Sequence, residues 1–84
     1  MTANINRLLT NAIAAHRAGL RSEAVELYTV ILKSQPGHAD TNHNLGVLAL
    51  EEGRLGEAVG YIRKAIDTNP KVEQFWVSLI FALC

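Results

Sequence analysis

Three side chains of metal-ligand or acid–base type fall close together in this sequence: His38, Asp40 and His43. A zinc site requires three or four such groups to converge, and a catalytic one leaves a coordination position open. Three residues within one short stretch do not by their spacing supply that convergence. They are read as solvated side chains of a turn and a helix face. His16 stands alone on the first helix. Cys84 has no His or Asn near it in sequence and is read as a lone thiol rather than a nucleophile. Gly53, Gly56 and Gly60 fit neither the phosphate-loop nor the dinucleotide spacing, and they follow a helix rather than a strand. They read as a turn plus small residues that permit close helix packing. No catalytic constellation, cofactor site or metal site emerges, and the chain is read as not an enzyme.

The bulk properties bound the function classes. Across 84 residues, eight Lys+Arg balance eight Asp+Glu, so the basic footprint of a nucleic-acid binder is missing. With 49% hydrophobic and 19% charged residues, the chain is too apolar for a disordered segment. A single cysteine forms no internal disulfide, which together with the lack of a secretory signal pattern leads us to expect a reduced, cytoplasmic setting. The densest apolar run, residues 75–84, is shorter than the 17 or so residues a bilayer span needs; attachment of that helix to a membrane surface is the weaker alternative, because Lys71 is its only flanking basic residue, and no membrane partner is expected.

The elements that position any site follow from an internal repeat. A shift of 34 residues superimposes Ala15 on Ala49, Gly19 on Gly53, Glu23-Ala24-Val25 on Glu57-Ala58-Val59, and Pro36 on Pro70. Within each unit the apolar residues recur at helical spacing: Ile5, Leu8, Leu9, Ala12 and Ile13, then Ala24, Leu27, Tyr28, Ile31 and Leu32. Leu45, Leu48 and Ala49 mark a third helix, Ala58, Ile62, Ala65 and Ile66 a fourth, and Phe75, Trp76, Leu79, Ile80 and Leu83 a fifth. Gly19 and Gly53 stand where a helix ends in a tight turn, and Pro36 and Pro70 follow the second helix of each unit. The pattern predicts an all-α fold of five helices near 4–17, 21–34, 39–52, 55–68 and 73–84, paired as helical hairpins. A single domain spanning 1–84 is expected, with units at about 5–38 and 39–72 and a partial third at 73–84.

These residues resemble the tetratricopeptide repeat (TPR) family, whose units carry W-x2-L-G-x2-Y, then A-x3-F, A and P. The second unit offers Leu45-Gly46, Ala49, Gly53, Ala58-x3-Ile62, Ala65 and Pro70; the first offers Leu8, Ala12, Ala15, Gly19, Ala24-x3-Tyr28, Ile31 and Pro36. Trp76-x2-Leu79 opens a third. Asn11, Asn42 and Ile80 depart from the family pattern. The alignment puts His38 in the turn between units and His43 on the first helix of the second. The resemblance implies a solenoid and a protein–protein interaction module, in which the first helix of each hairpin lines a concave groove for a partner peptide or helix. Carried over by position, the groove residues are Asn6, Leu9, Thr10 and Ile13, then Asp40, His43, Asn44, Val47 and Leu50, then Val77, Ser78 and Phe81. Thr10, Asn44 and Ser78 would form a row of hydrogen-bonding side chains flanked by apolar area. The positions that would form a basic clamp for an acidic C-terminus hold Leu9, Ile13, Asn44, Gln74 and Ser78, with no cation among them.

The phrase Asn44-Leu45-Gly46 with Gly53-Arg-Leu-Gly-Glu57-Ala58 is also similar to the arrays of bacterial relatives of O-linked N-acetylglucosamine transferase and the SPINDLY group. Glu73-Gln-Phe-Trp76-Val-Ser-Leu79 is similar to a phrase from multidomain proteins with a glycosyltransferase or sulfotransferase domain. The alternative this implies is a substrate-recruiting segment of such an enzyme. Finally, Phe75, Trp76, Ile80, Phe81 and Leu83 cover most of the circumference of the last helix, more than two preceding helices shield. A second copy of the chain is expected to bury them in a homodimer.

Overall fold

The structure, a computed structural model, describes residues 4–84. Among these it is all-helical, with α1 (Ile5–Arg17), α2 (Arg21–Ser34), α3 (Ala39–Glu51), α4 (Leu55–Thr68) and α5 (Glu73–Leu83), and no strand. Every helix end lies within one residue of the position expected from periodicity and punctuation. No helix of the described residues is long and apolar enough to cross a membrane.

The turns show why those ends are sharp. Gly19 and Gly53 take φ of 81° and 76°, the left-handed region that a Cβ disfavours. In the first turn the Gly19 N–H donates to the His16 carbonyl (3.1 Å) and the Leu20 N–H to the Ala15 carbonyl (2.9 Å). The second repeats this pattern with Gly53 to Leu50 (3.1 Å) and Arg54 to Ala49 (2.8 Å). These paired bonds are the Schellman arrangement, which satisfies the last carbonyls of a helix. At the other end of α1 the Asn4 side chain accepts from the Arg7 N–H at 3.1 Å. His38 does the same for α3: its Nδ1 accepts from the Thr41 N–H at 3.3 Å and lies 2.9 Å from the Thr41 hydroxyl. An accepting Nδ1 puts the ring proton on Nε2.

The chain forms two compact units, one ending at Pro36 and one running Gly37–Cys84. In the first, α1 packs on α2. Ala12, Ala15, Ala24, Tyr28 and Ile31 are its buried hydrophobic residues. In the second, α3 and α4 form the corresponding hairpin and α5 packs chiefly on α4. Its core contains Ala49, Ala58, Ile62, Ala65, Ile66, Phe75 and Ala82. The buried sets correspond at the 34-residue interval: Ala12 with Gly46, Ala15 with Ala49, Ala24 with Ala58, Tyr28 with Ile62 and Ile31 with Ala65 are buried in both units. Small residues recur there because the helices cross closely. A Cβ built on Gly46 would lie 2.7 Å from Ile62 Cγ1 and 3.2 Å from the Ala58 carbonyl oxygen.

Candidate functional site

The expected groove residues of the second unit separate into two groups. Asp40, Asn44, Val47 and Leu50 keep partial or full exposure along α3, and Val77 and Phe81 are exposed on α5. Val47, Leu50 and Phe81 line one apolar hollow of about 480 Å³, together with Glu51 and Leu55. Phe81 is 76% exposed and Leu55 51%, so the hollow is open to solvent. Two of its residues were not anticipated. Glu51 closes α3 and Leu55 opens α4 across the Gly53 turn. Leu55 continues the apolar spacing of α4, but only the packing shows that its side chain stays uncovered.

The second group is turned inward. His43 and Ser78 were expected in the groove; they are 8% and 7% exposed and face each other across α3 and α5. His43 Nε2 and Ser78 Oγ are 2.7 Å apart. The imidazole also lies against the Phe75 ring, with centroids 4.8 Å apart and a 35° tilt. Three corrections follow. His43 is not a solvated helix-face side chain, because the hydrogen bond and the ring contact hold it in the interior. Ser78 is not an open rung for a peptide backbone, since its hydroxyl is engaged by His43. Phe75 leaves the self-association set: at 2% exposure it belongs to the unit's own core.

A serine hydroxyl hydrogen-bonded to an imidazole is also the first half of a nucleophile–base pair. Here both groups are closed off from solvent, at 8% and 7% exposure. Ser78 sits inside α5, where the backbone N–H groups are spent in the helix ladder and do not converge as oxyanion donors. The pair instead ties α5 to α3. Its environment lowers the His43 pKa from 6.5, chiefly through burial, which disfavours the imidazolium; a hydrogen bond with the Asn44 side chain and the charge of Asp40 act in the opposite direction.

Asp40, the third member of the histidine cluster, is exposed while His38 caps α3 and His43 points into the core. Among the described residues no three His, Cys, Asp or Glu side chains are gathered in a metal-binding arrangement. Of the first unit's expected groove residues, Asn6 and Thr10 are exposed and Leu9 and Ile13 half-buried. The Thr10 hydroxyl donates to the Asn6 carbonyl at 2.9 Å, which leaves its oxygen lone pairs as the part a ligand would meet.

The outer arc of α5 is the other notable surface. Trp76, Val77, Ile80, Phe81 and Leu83 are 44%, 47%, 62%, 76% and 62% exposed. Trp76 is held at one edge of the arc, where its indole N–H donates to the Pro70 carbonyl at 2.7 Å. It shares a hollow of about 320 Å³ with Arg63, Ile66, Asp67 and Leu79 on the α4 side. Trp76, Ile80, Phe81 and Leu83, the remaining residues of the expected self-association set, thus share one uncovered arc.

Comparison with protein-family models and with curated proteins finds no match for this chain.

Proposed function

We propose that the chain is a non-catalytic protein-interaction module of the tetratricopeptide type, which takes a segment of a partner protein on the α3–α5 side of its second unit and self-associates through α5. The observation that carries this reading is the continuity of apolar surface from the Val47–Leu50–Leu55–Phe81 hollow onto the arc of α5. Burying a large apolar side chain is worth about 1.5–3 kcal/mol. Patches of contiguous exposed apolar side chains on a protein surface mark interaction sites. The correspondence of the two hairpins at 34 residues, down to the same buried positions and the same glycine turns, supports the family assignment.

Sedimentation velocity across a concentration series tests the self-associating part. The expected result is a dimer that the Ile80→Glu/Phe81→Glu double variant converts to a folded monomer, because both side chains are more than 60% exposed. A wild-type chain that stays monomeric at high concentration refutes it. The second reading, a substrate-recruiting segment of a larger glycosyltransferase- or sulfotransferase-like protein, draws on the same arc, which a following helix would cover in a longer chain. Sequencing the complete gene separates the two: a catalytic domain downstream favours the second.

A further inference from the structure

The uncovered arc of α5 includes a face that both hairpins cover. By the 34-residue interval, Ile80 stands where α3 has Gly46 and α1 has Ala12, and Leu79 and Leu83 stand where α3 has Leu45 and Ala49. Ala12, Leu45, Gly46 and Ala49 are all buried. This is the face on which a hairpin's second helix packs antiparallel to its first: Gly46 lies against Ile62 of α4, and Ala49 joins Ala58 and Ile62 in one cluster. On α5 the same positions stay open. Ile80 and Leu83 are each 62% exposed, and Trp76, one turn before Ile80, is 44% exposed.

The side chains there set what can cover them. Glycine at the crossing lets α4 come so close that a Cβ on Gly46 would stand 2.7 Å from Ile62 Cγ1. Ile80 forbids that approach, so a helix seated on α5 lies farther out, roughly 10 Å between axes. It must fill the wider gap with large side chains of its own. α5 carries such a set: Trp76, Leu79, Ile80 and Leu83 are spaced three, one and three, an order that reads the same from either end. An antiparallel second α5 therefore matches the stripe residue for residue. The surface also holds both a knob and a hole. Leu83 projects at one end of the stripe, and at the other Trp76 and Leu79 border the hollow of about 320 Å³ shared with α4. A two-fold axis between residues 79 and 80 carries one onto the other, as an isologous contact requires. Arg63 and Asp67 at that hollow have opposite charges, so doubling the surface adds no net repulsion there.

Resting on the proposed self-association, we infer that the occupant of this face is α5 of a second copy, packed antiparallel across a two-fold axis near Leu79 and Ile80, with Leu83 of each copy seated against Trp76 of the other. Phe81 lies on the other edge of the helix, beside Val47 and Leu50, which leaves that hollow to the partner segment. A contact made mainly by one helix per copy is small, so the dimer is weak and concentration-dependent.

Sedimentation velocity on the full chain over a concentration series tests this with two variants that only the antiparallel register makes complementary. Trp76→Glu and Leu83→Lys should each, alone, weaken the dimer by about tenfold or more, because every dimer then loses two buried apolar contacts. Mixed in equal amounts they should form a heterodimer about fivefold or more tighter than either variant's own dimer, since one glutamate meets one lysine and one Trp76–Leu83 contact is intact. If circular dichroism shows that Trp76→Glu has lost helicity, Ile80→Lys mixed with Ile80→Glu replaces that pair. Each of these repels its own copy at the axis, and the mixture should be tighter by the same factor. Mixtures no tighter than the separate variants overturn the inference and leave self-association standing. So does a dimer that Phe81→Glu dissociates and that Trp76→Glu and Leu83→Lys leave intact, because the second copy then occupies the hollow beside Val47. A wild-type chain that is monomeric at every concentration overturns both readings. A synthetic leucine–alanine helix that shifts the Trp76 fluorescence of such a monomer identifies a foreign helix as the occupant instead.

Discussion

Gly46 and Gly60 show how differently two glycines of one hairpin behave at the scale of a single residue. A Cβ at Gly46 meets Ile62 Cγ1 at 2.7 Å and the Ala58 backbone oxygen at 3.2 Å, while one at Gly60 meets nothing within 4 Å. Alanine gains up to about 1 kcal/mol of helix propensity at either site, but at Gly46 overpacking costs about 1–3 kcal/mol. Chemical denaturation should therefore show Gly46→Ala destabilised by about 1–2 kcal/mol and Gly60→Ala stabilised by about 0.5–1 kcal/mol. Equal gains in the two variants would mean that α3 and α4 do not cross at Gly46. His43 carries the pH dependence. Its folded pKa lies below the unfolded 6.5 because burial penalises the charge, so the unfolded chain binds more protons in that range. The contribution of His43 to stability is whole above pH 6.5. It is lost as pH falls below that value, until the buried imidazole protonates as well. Melting temperature should decline from pH 7 to 5, and the decline should be shallower in His43→Gln. Parallel declines would place the titrating group elsewhere.

At the scale of the element, the helix ends depend on backbone geometry more than on side-chain chemistry. α2, α4 and α5 have no side-chain bond at their N-caps, whereas α1 and α3 are capped by Asn4 and His38. The Schellman turns at Gly19 and Gly53 stop α1 and α3 in the same way. Nothing stands within 4 Å of a Cβ at Gly53, so a substitution there reports backbone strain alone. Forcing an L-residue to φ near 76° costs about 1–2 kcal/mol. Gly53→Ala should lower stability by about that amount in thermal unfolding, and Gly53→Asn by less, because asparagine tolerates the left-handed region. An unchanged melting temperature for Gly53→Ala would show that the turn relaxes to a different geometry.

For the whole molecule, the two units repeat one plan with unequal resources. The first buries three alanines, Tyr28 and Ile31, whereas the second adds Leu45, Leu48, Ile62, Ile66 and Phe75 to its own alanines. More apolar area removed from water should give α3 and α4 the higher local stability. Native-state amide exchange is expected to be faster by an order of magnitude or more in α1 than in the α3–α4 hairpin. Uniform protection across the four helices would show that the chain opens only as one cooperative body.

The sequence by itself determined the five helices, their ends and the repeated buried positions. Those depend on local terms: helical spacing of apolar residues, glycine at positive φ, proline after each second helix, and alanine where two helices cross. Asn44, Val47 and Leu50 were legible as an accessible stripe for the same reason, because steps of three and four residues define a helix face without reference to the rest of the fold. Which of those side chains stay in water was decided by tertiary structure. His43, Ser78 and Phe75 looked like surface residues on the pattern of α3 or α5 taken singly. They are buried because the two helices approach one another, and a 2.7 Å hydrogen bond between residues 35 apart in sequence closes that gap. Leu55 and Glu51 join Phe81 around one hollow through the same packing. A periodicity measures angle around one helix axis and carries no information about the distance to a second helix, so these placements required the fold.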